Sequence, residues 1–201
     1  MSQTKAQLIN AVDGSIVDAD IVGLTSSKLS GALPAISGAS LTGISTGKIL
    51  QVLSTTKTNT FSTTTNQTFE DITGLNVSIT TTGSNKVLLQ GVLSVSASAD
   101  TFVVARLVRT TSGSDTPIFI GDASSNRARA TFGFDITRGQ FQLNDKGFTF
   151  LDTPSAGTHT YKIQIYRHGG AEIIVNRTSD STDSPRSGMT VSSITVSEVA
   201  A

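Results

Sequence analysis

The chain has 201 residues, a formal net charge of zero, no cysteine and no tryptophan. Balanced charge gives no electrostatic reason to capture nucleic acid or an anionic membrane surface, and without cysteine there is no disulfide scaffold, thiolate nucleophile or cysteine-held metal. Charged residues make up 15% of the chain, against roughly 25% in ordinary globular proteins, and 27 serines and 30 threonines fill the gap, which suits pleated strands better than solvated helices.

In chain order, MSQTKAQLINAVDG has no basic segment leading into an apolar run, and no uninterrupted apolar run approaches about 18 residues, so neither a secretory signal nor a membrane-spanning helix is expected. Leu8, Ile9 and Val12 lie between the caps Ser2 or Thr4 and Gly14, which predicts a short helix over residues 3–13 that needs a packing partner. Residues 23–47 repeat an aliphatic–hydroxyl–glycine phrase at Leu29-Ser30-Gly31, Ile36-Ser37-Gly38 and Leu41-Thr42-Gly43. Glycines 23, 31, 38, 43 and 47 with Pro34 rule out a stable helix or a long ladder strand there.

From Lys48 onward the pattern is strands and turns. Alternation predicts strands at 75–79 and 86–96, and DTFVVARLVRT (100–110) has two apolar faces, as a central strand does. Further strands are expected at 116–122, 127–136, 138–143, 146–152 and 189–200. Turns fall at Ser112-Gly113 and Asn144-Asp145-Lys146-Gly147, and 159–177 reads as a hairpin about Gly169-Gly170. Eight to ten short strands with almost no helix signal predict an all-β domain over 48–201, a jelly-roll-like β-sandwich ahead of a meander barrel or an immunoglobulin-like sandwich. It is preceded by the short helix and an extended, glycine-interrupted attachment segment over 1–47.

Chemistry-bearing constellations are sparse. His159 and His168 bracket one predicted strand, about 30 Å apart, and read as exposed turn residues. Asp180 and Asp183 in TSDSTDSPRSG lack the ligand spacing of a calcium loop, and no serine sits in a nucleophile elbow. Three glycosylation sequons are chance matches in so hydroxyl-rich a chain. No catalytic residue, metal or cofactor is therefore expected, and the chain reads as a non-enzyme. Arg127 and Arg129 share one face of a predicted strand; with Tyr166 they are the candidate surface ligand contacts, against ion pairing with Asp122 or Asp135.

The apolar side chains of the repeat are costly in water, at about 25 cal/mol per Å², and a single glycine-broken strand cannot bury them on itself. Leu24, Leu29, Leu33, Ile36, Leu41 and Ile44 are thus the expected attachment and oligomerisation residues, with a homotrimer as the favoured assembly.

GALPAISGASLTGIS, followed by GKILQVLSTTKTNTFSTTTNQTFEDITGLNVSITTTGSNKVLL, resembles small tail-fibre and virion structural proteins of tailed bacteriophages, marine and cyanobacterial ones especially. HTYKIQIYRHGGAEIIVNR and SSITVSEVA are also similar to that group, so the likeness spans roughly residues 20–200. It implies a virion component made in the host cytoplasm: a short fibre or knob joined to other virion proteins and contacting a host-surface glycan. It implies no catalytic residues. A capsid decoration protein, a soluble carbohydrate-binding module and a depolymerase fragment are the competing readings. The chain is too short for a long fibre.

Overall fold

The computed structural model describes residues 48–137 and 141–201. The helix expected at 3–13, the attachment residues Leu24, Leu29, Leu33, Ile36, Leu41 and Ile44, and the start of the strand expected at 138–143 lie outside the described residues.

Two antiparallel sheets face one another. The strands, in chain order, are β1 (Ile49–Lys57), β2 (Phe61–Thr63), β3 (Glu70–Thr81), β4 (Lys86–Ala97), β5 (Thr101–Thr111), β6 (Ser114–Ile118), β7 (Phe132–Ile136), β8 (Asn144–Asp152), β9 (Gly157–His168), β10 (Ile173–Val175) and β11 (Ser192–Val199). The first sheet runs β1–β11–β4–β8, and the second runs β3–β9–β5 with β6 and β7 sharing the far edge of β5. The chain crosses between sheets at β2–β3, β3–β4, β4–β5, β7–β8, β8–β9 and β9–β10. This is the jelly-roll order, and the fold is an all-β, jelly-roll-like sandwich.

Alternation explains the core. On β4, Val87, Leu89, Leu93 and Val95 are fully buried at every second position, with Gly91 between them. Burying each such side chain stabilises the fold by about 1.5–3 kcal/mol. Val103, Ala105 and Leu107 of β5 and Tyr161, Ile163 and Ile165 of β9 oppose them from the second sheet. β5 is apolar on both faces, as its sequence implies: Val104 and Val108, on its outer face, are also buried. In β3 the pairing jumps from Asp71↔Gln164 to Asn76↔Lys162, and this bulge, with Gly74 at φ +81°, lets Ile72 and Leu75 both turn into the core.

Both ladders of the first sheet break at the same level. β10 and β11 lie end to end along β4, β10 opposite Val95–Ala97 and β11 opposite Lys86–Val92. β1 pairs with β11 and β2 with β10 in the same way. One strand position is thus divided by residues 58–60, and its neighbour by the long excursion 176–191.

Three sequence expectations are corrected. Residues 159–177 are not a hairpin: β9 belongs to the second sheet and β10 to the first, so Gly169-Gly170 carries the chain across the sandwich instead of folding it back. Asn144–Gly147 is not a turn, because it pairs in register with Val92–Val95 as the start of β8. The strand expected at 127–136 begins only at Phe132. The Ser112-Gly113 turn is found where expected: both residues have positive φ (49° and 80°) and Thr111 pairs with Ser114, a two-residue type I′ hairpin.

The outward face of the first sheet is free of charge across its middle. Registers align Val52–Ser197–Leu88–Leu151 and Ser54–Thr195–Gln90–Thr149 as cross-strand rows, and Val52 and Leu151 are exposed.

Candidate functional site

The second sheet presents a groove on its outer face. Phe102 and Val104 of β5 lie opposite His168 and Tyr166 of β9, so the register alone places these four side chains side by side. The segment joining β6 to β7 lays Asn126, Arg127 and Ala128 along them, and the seven residues line a groove of about 390 Å³. That segment is held by backbone contacts: Gly121 N donates to Ala130 O, Thr131 N to Ala105 O and Arg127 N to Ser124 O. Phe119 and Ser125 take positive φ within it.

Gly133 of β7 lies beside the Phe102 ring, and a Cβ there would sit 3.2 Å from Phe102 Cζ, so a larger residue would push the ring by a few tenths of an ångström. The Tyr166 ring packs on Phe69 at 5.1 Å between centroids, and the Arg106 guanidinium covers Phe69 at 3.7 Å.

Charges beside the groove neutralise one another. Lys162 bridges Asp71 and Asp115, each at 2.8 Å. Its burial opposes protonation, but the hydrogen bonds to Asp115 and Asp71 outweigh it and raise its pKa above the ordinary lysine value. Asp115 is held below the usual carboxylate range by Lys162 and Thr110. Arg106 Nε donates to Gln164 Oε1, whose amide donates to Asp71. Among the described residues, by contrast, no carboxylate lies within ion-pair distance of Arg127.

The candidates from sequence separate here. Arg127 and Tyr166 meet in the groove. Arg129 does not line it, because its Nε donates to Gly121 O at 2.7 Å and steadies the segment instead. Phe102 and Val104 reach the groove through the β5–β9 register and Asn126 through the β6–β7 segment, neither of which is legible in the sequence, and His168, exposed as expected, joins them there. His159, expected as an exposed turn residue, is 1% exposed: its ring bonds Thr111 Oγ1 and Ser155 O, both at 2.8 Å. Close by, Tyr161 OH donates to Asp152 Oδ2, which also accepts from Arg109, and burial followed by that carboxylate pushes the phenol's pKa far up. Asp180 Oδ1 caps Thr182 N locally, and among the described residues no three metal-ligating side chains converge.

The groove and the entry of the domain lie at opposite ends. Lys48 O accepts from Ala200 N where Ile49, Val199 and Lys86 come into register. Gln51 Nε2 reaches Thr80 O and Thr82 N reaches Glu198, which joins that end of the first sheet to the Gly157 end of β9. His168 lies at the other end of this 12-residue strand, roughly 35 Å away at about 3.3 Å per residue.

No family model and no curated protein matches the chain. Among solved structures it is similar to the Eiger TNF protein of S. frugiperda, with 11% identity over 74% of this chain and 93% of that one and a TM-score of 0.39. It is also similar to infectious bursal disease virus chains of the Gx and Gt strains, at 15% and 16% identity over 75% of this chain, again with TM-scores of 0.39. The chain spans 37% and 38% of the length of those two viral chains.

Proposed function

We propose that this chain is a non-enzymatic structural protein of a bacteriophage particle, a short fibre or knob. Residues 1–47 attach it to other virion proteins and trimerise it, and the jelly-roll domain projects outward to meet a saccharide on the host surface. The observation that carries this reading is the polarity of the domain: the chain enters at Lys48, and the aromatic groove opens at the far end. A projecting module needs that separation between its root and its contact surface. The charge-free rows of the first sheet, with Val52 and Leu151 exposed, add a second area suited to packing against copies.

The test has two parts. The light-scattering mass of the full chain should be three times 20.9 kDa, and a persistent monomer would overturn the trimer. Replacing Leu29, Leu33, Ile36 and Leu41 by serine in the full chain should leave the β-rich circular dichroism unchanged and abolish incorporation into particles. Normal incorporation would sink the attachment role. Gold labelling of particles completes the test, since label confined to the head surface would replace the fibre with a capsid decoration protein.

A further inference from the structure

The groove's chemistry selects a class of saccharide. Its polar ends are the Arg127 guanidinium, the Asn126 amide, the Tyr166 hydroxyl and the His168 ring, and among the described residues none of these has a hydrogen-bonding side-chain partner. No carboxylate lines the groove. Asp135, the register partner of Phe102 on β7, is not part of the wall. The rest of the wall is apolar: Val104, Ala128, the Tyr166 ring and the 56%-exposed Phe102 ring. An exposed phenylalanine ring beside a glycine offers an apolar surface for the C–H face of a sugar ring. At about 390 Å³ the groove is at the small end of ligand sites, enough for one or two sugar rings.

The charge balance adds the decisive constraint. On this face Lys162 and Arg106 are committed to Asp71, Asp115 and Gln164, and Arg129 to Gly121 O, which leaves Arg127 to meet a ligand. A polyphosphate chain would call for a row of cations; one planar guanidinium matches one planar carboxylate, which it can hold with two parallel hydrogen bonds.

We infer that the groove binds a carboxylated sugar, a uronic-acid type of residue in a surface polysaccharide, with Arg127 on the carboxylate and Phe102 and Tyr166 against the ring. This rests on the reading that the far end of the domain meets a saccharide, but not on membership of a particle.

The test is a calorimetric titration of the full chain with trigalacturonate, its methyl ester and a sulfated trisaccharide. Trigalacturonate should bind, the methyl ester at least about tenfold more weakly, the equivalent of one lost charge-assisted contact. Arg127→Gln should lose the same factor toward trigalacturonate and nothing toward the ester, Phe102→Ala should weaken both, and Lys86→Gln, at the opposite end of the domain, should match the wild type. Unchanged thermal midpoints would show that the variants are folded. Equal binding of acid and ester would overturn the carboxylate assignment yet keep the saccharide reading, and so would tighter binding of the sulfated sugar. No binding of any of the three by the folded protein would overturn both.

Discussion

Asn176 donates its side-chain amide to the backbone carbonyl of Lys57 at 2.7 Å, across 119 positions of sequence. The contact lies where two neighbouring strand positions of the first sheet are interrupted, and Asn176 closes both interruptions. Its amide also reaches Asn59 O, its side-chain oxygen accepts from Ser192 Oγ, its backbone N donates to Ser94 O and its backbone O accepts from Thr190 N. The residue is fully buried and sits at φ +68°, a region that asparagine tolerates better than most side chains.

Asn176→Ala should therefore destabilise the domain by about 3 kcal/mol, because it strands the Lys57 and Asn59 carbonyls and leaves a β-carbon at positive φ. Asn176→Gly should recover about 1 kcal/mol of that loss by relieving the backbone alone. Urea unfolding midpoints measure both, and equal effects would mean that the backbone strain is negligible.

Gly91 lies under the Phe148 ring in the middle of β4. A Cβ there would be 2.3 Å from Ser193 O and 2.6 Å from Phe148 Cζ. Gly91→Ala should cost about 3 kcal/mol or more, since both a backbone and a packed ring must give way. Gly170→Ala, with open space around it, should change the same midpoint little.

The type I′ turn at Ser112-Gly113 asks for φ > 0 at a serine. Ser112→Asn or Ser112→Gly should stabilise the domain by about 0.5–1 kcal/mol, read as a rise in thermal midpoint.

Glu198 is buried at the Lys48 end and held below the usual carboxylate range by the Asn85 amide, then by Thr82 N and the Gln51 amide. Its folded pKa lies below its unfolded one. The stabilisation is thus complete above the unfolded value of about 4.3 and is lost as pH falls through the folded value. Asp115 acts in the same sense. Thermal midpoints should fall steeply below about pH 4; in Glu198→Gln they should be lower at neutral pH and decline less steeply in acid.

What the sequence reveals depends on where the deciding contacts lie. The two apolar faces of β5 mark it as central because burial on both sides leaves a local imprint. The Ser112-Gly113 turn is legible because φ > 0 at both positions is a local demand. The 159–177 segment misleads because a glycine pair that reverses a chain looks the same as one that carries it to the opposite sheet. The Asn144–Gly147 signal fails because in-register pairing with β4 outweighs local turn preference. β1 carries no clear alternation, since it is an edge strand whose partner lies some 140 residues away. For the groove, Arg127 and Tyr166 stand out by residue type, whereas Phe102 and His168 become relevant only through the β5–β9 register.

The excursion 176–191 leaves the ladder after Val175 and returns at Ser192 on the same line along β4, with its two ends tied together at Asn176. Its length is thereby uncoupled from the sandwich. Foreign peptide spliced between Asp180 and Ser187 would begin and end outside the ladder, and neither sheet would have to shift to admit it. The same arrangement gives the domain a tract that can diverge quickly by insertion and deletion while the core stays fixed, and a ready port for displaying a peptide on the surface of an assembly.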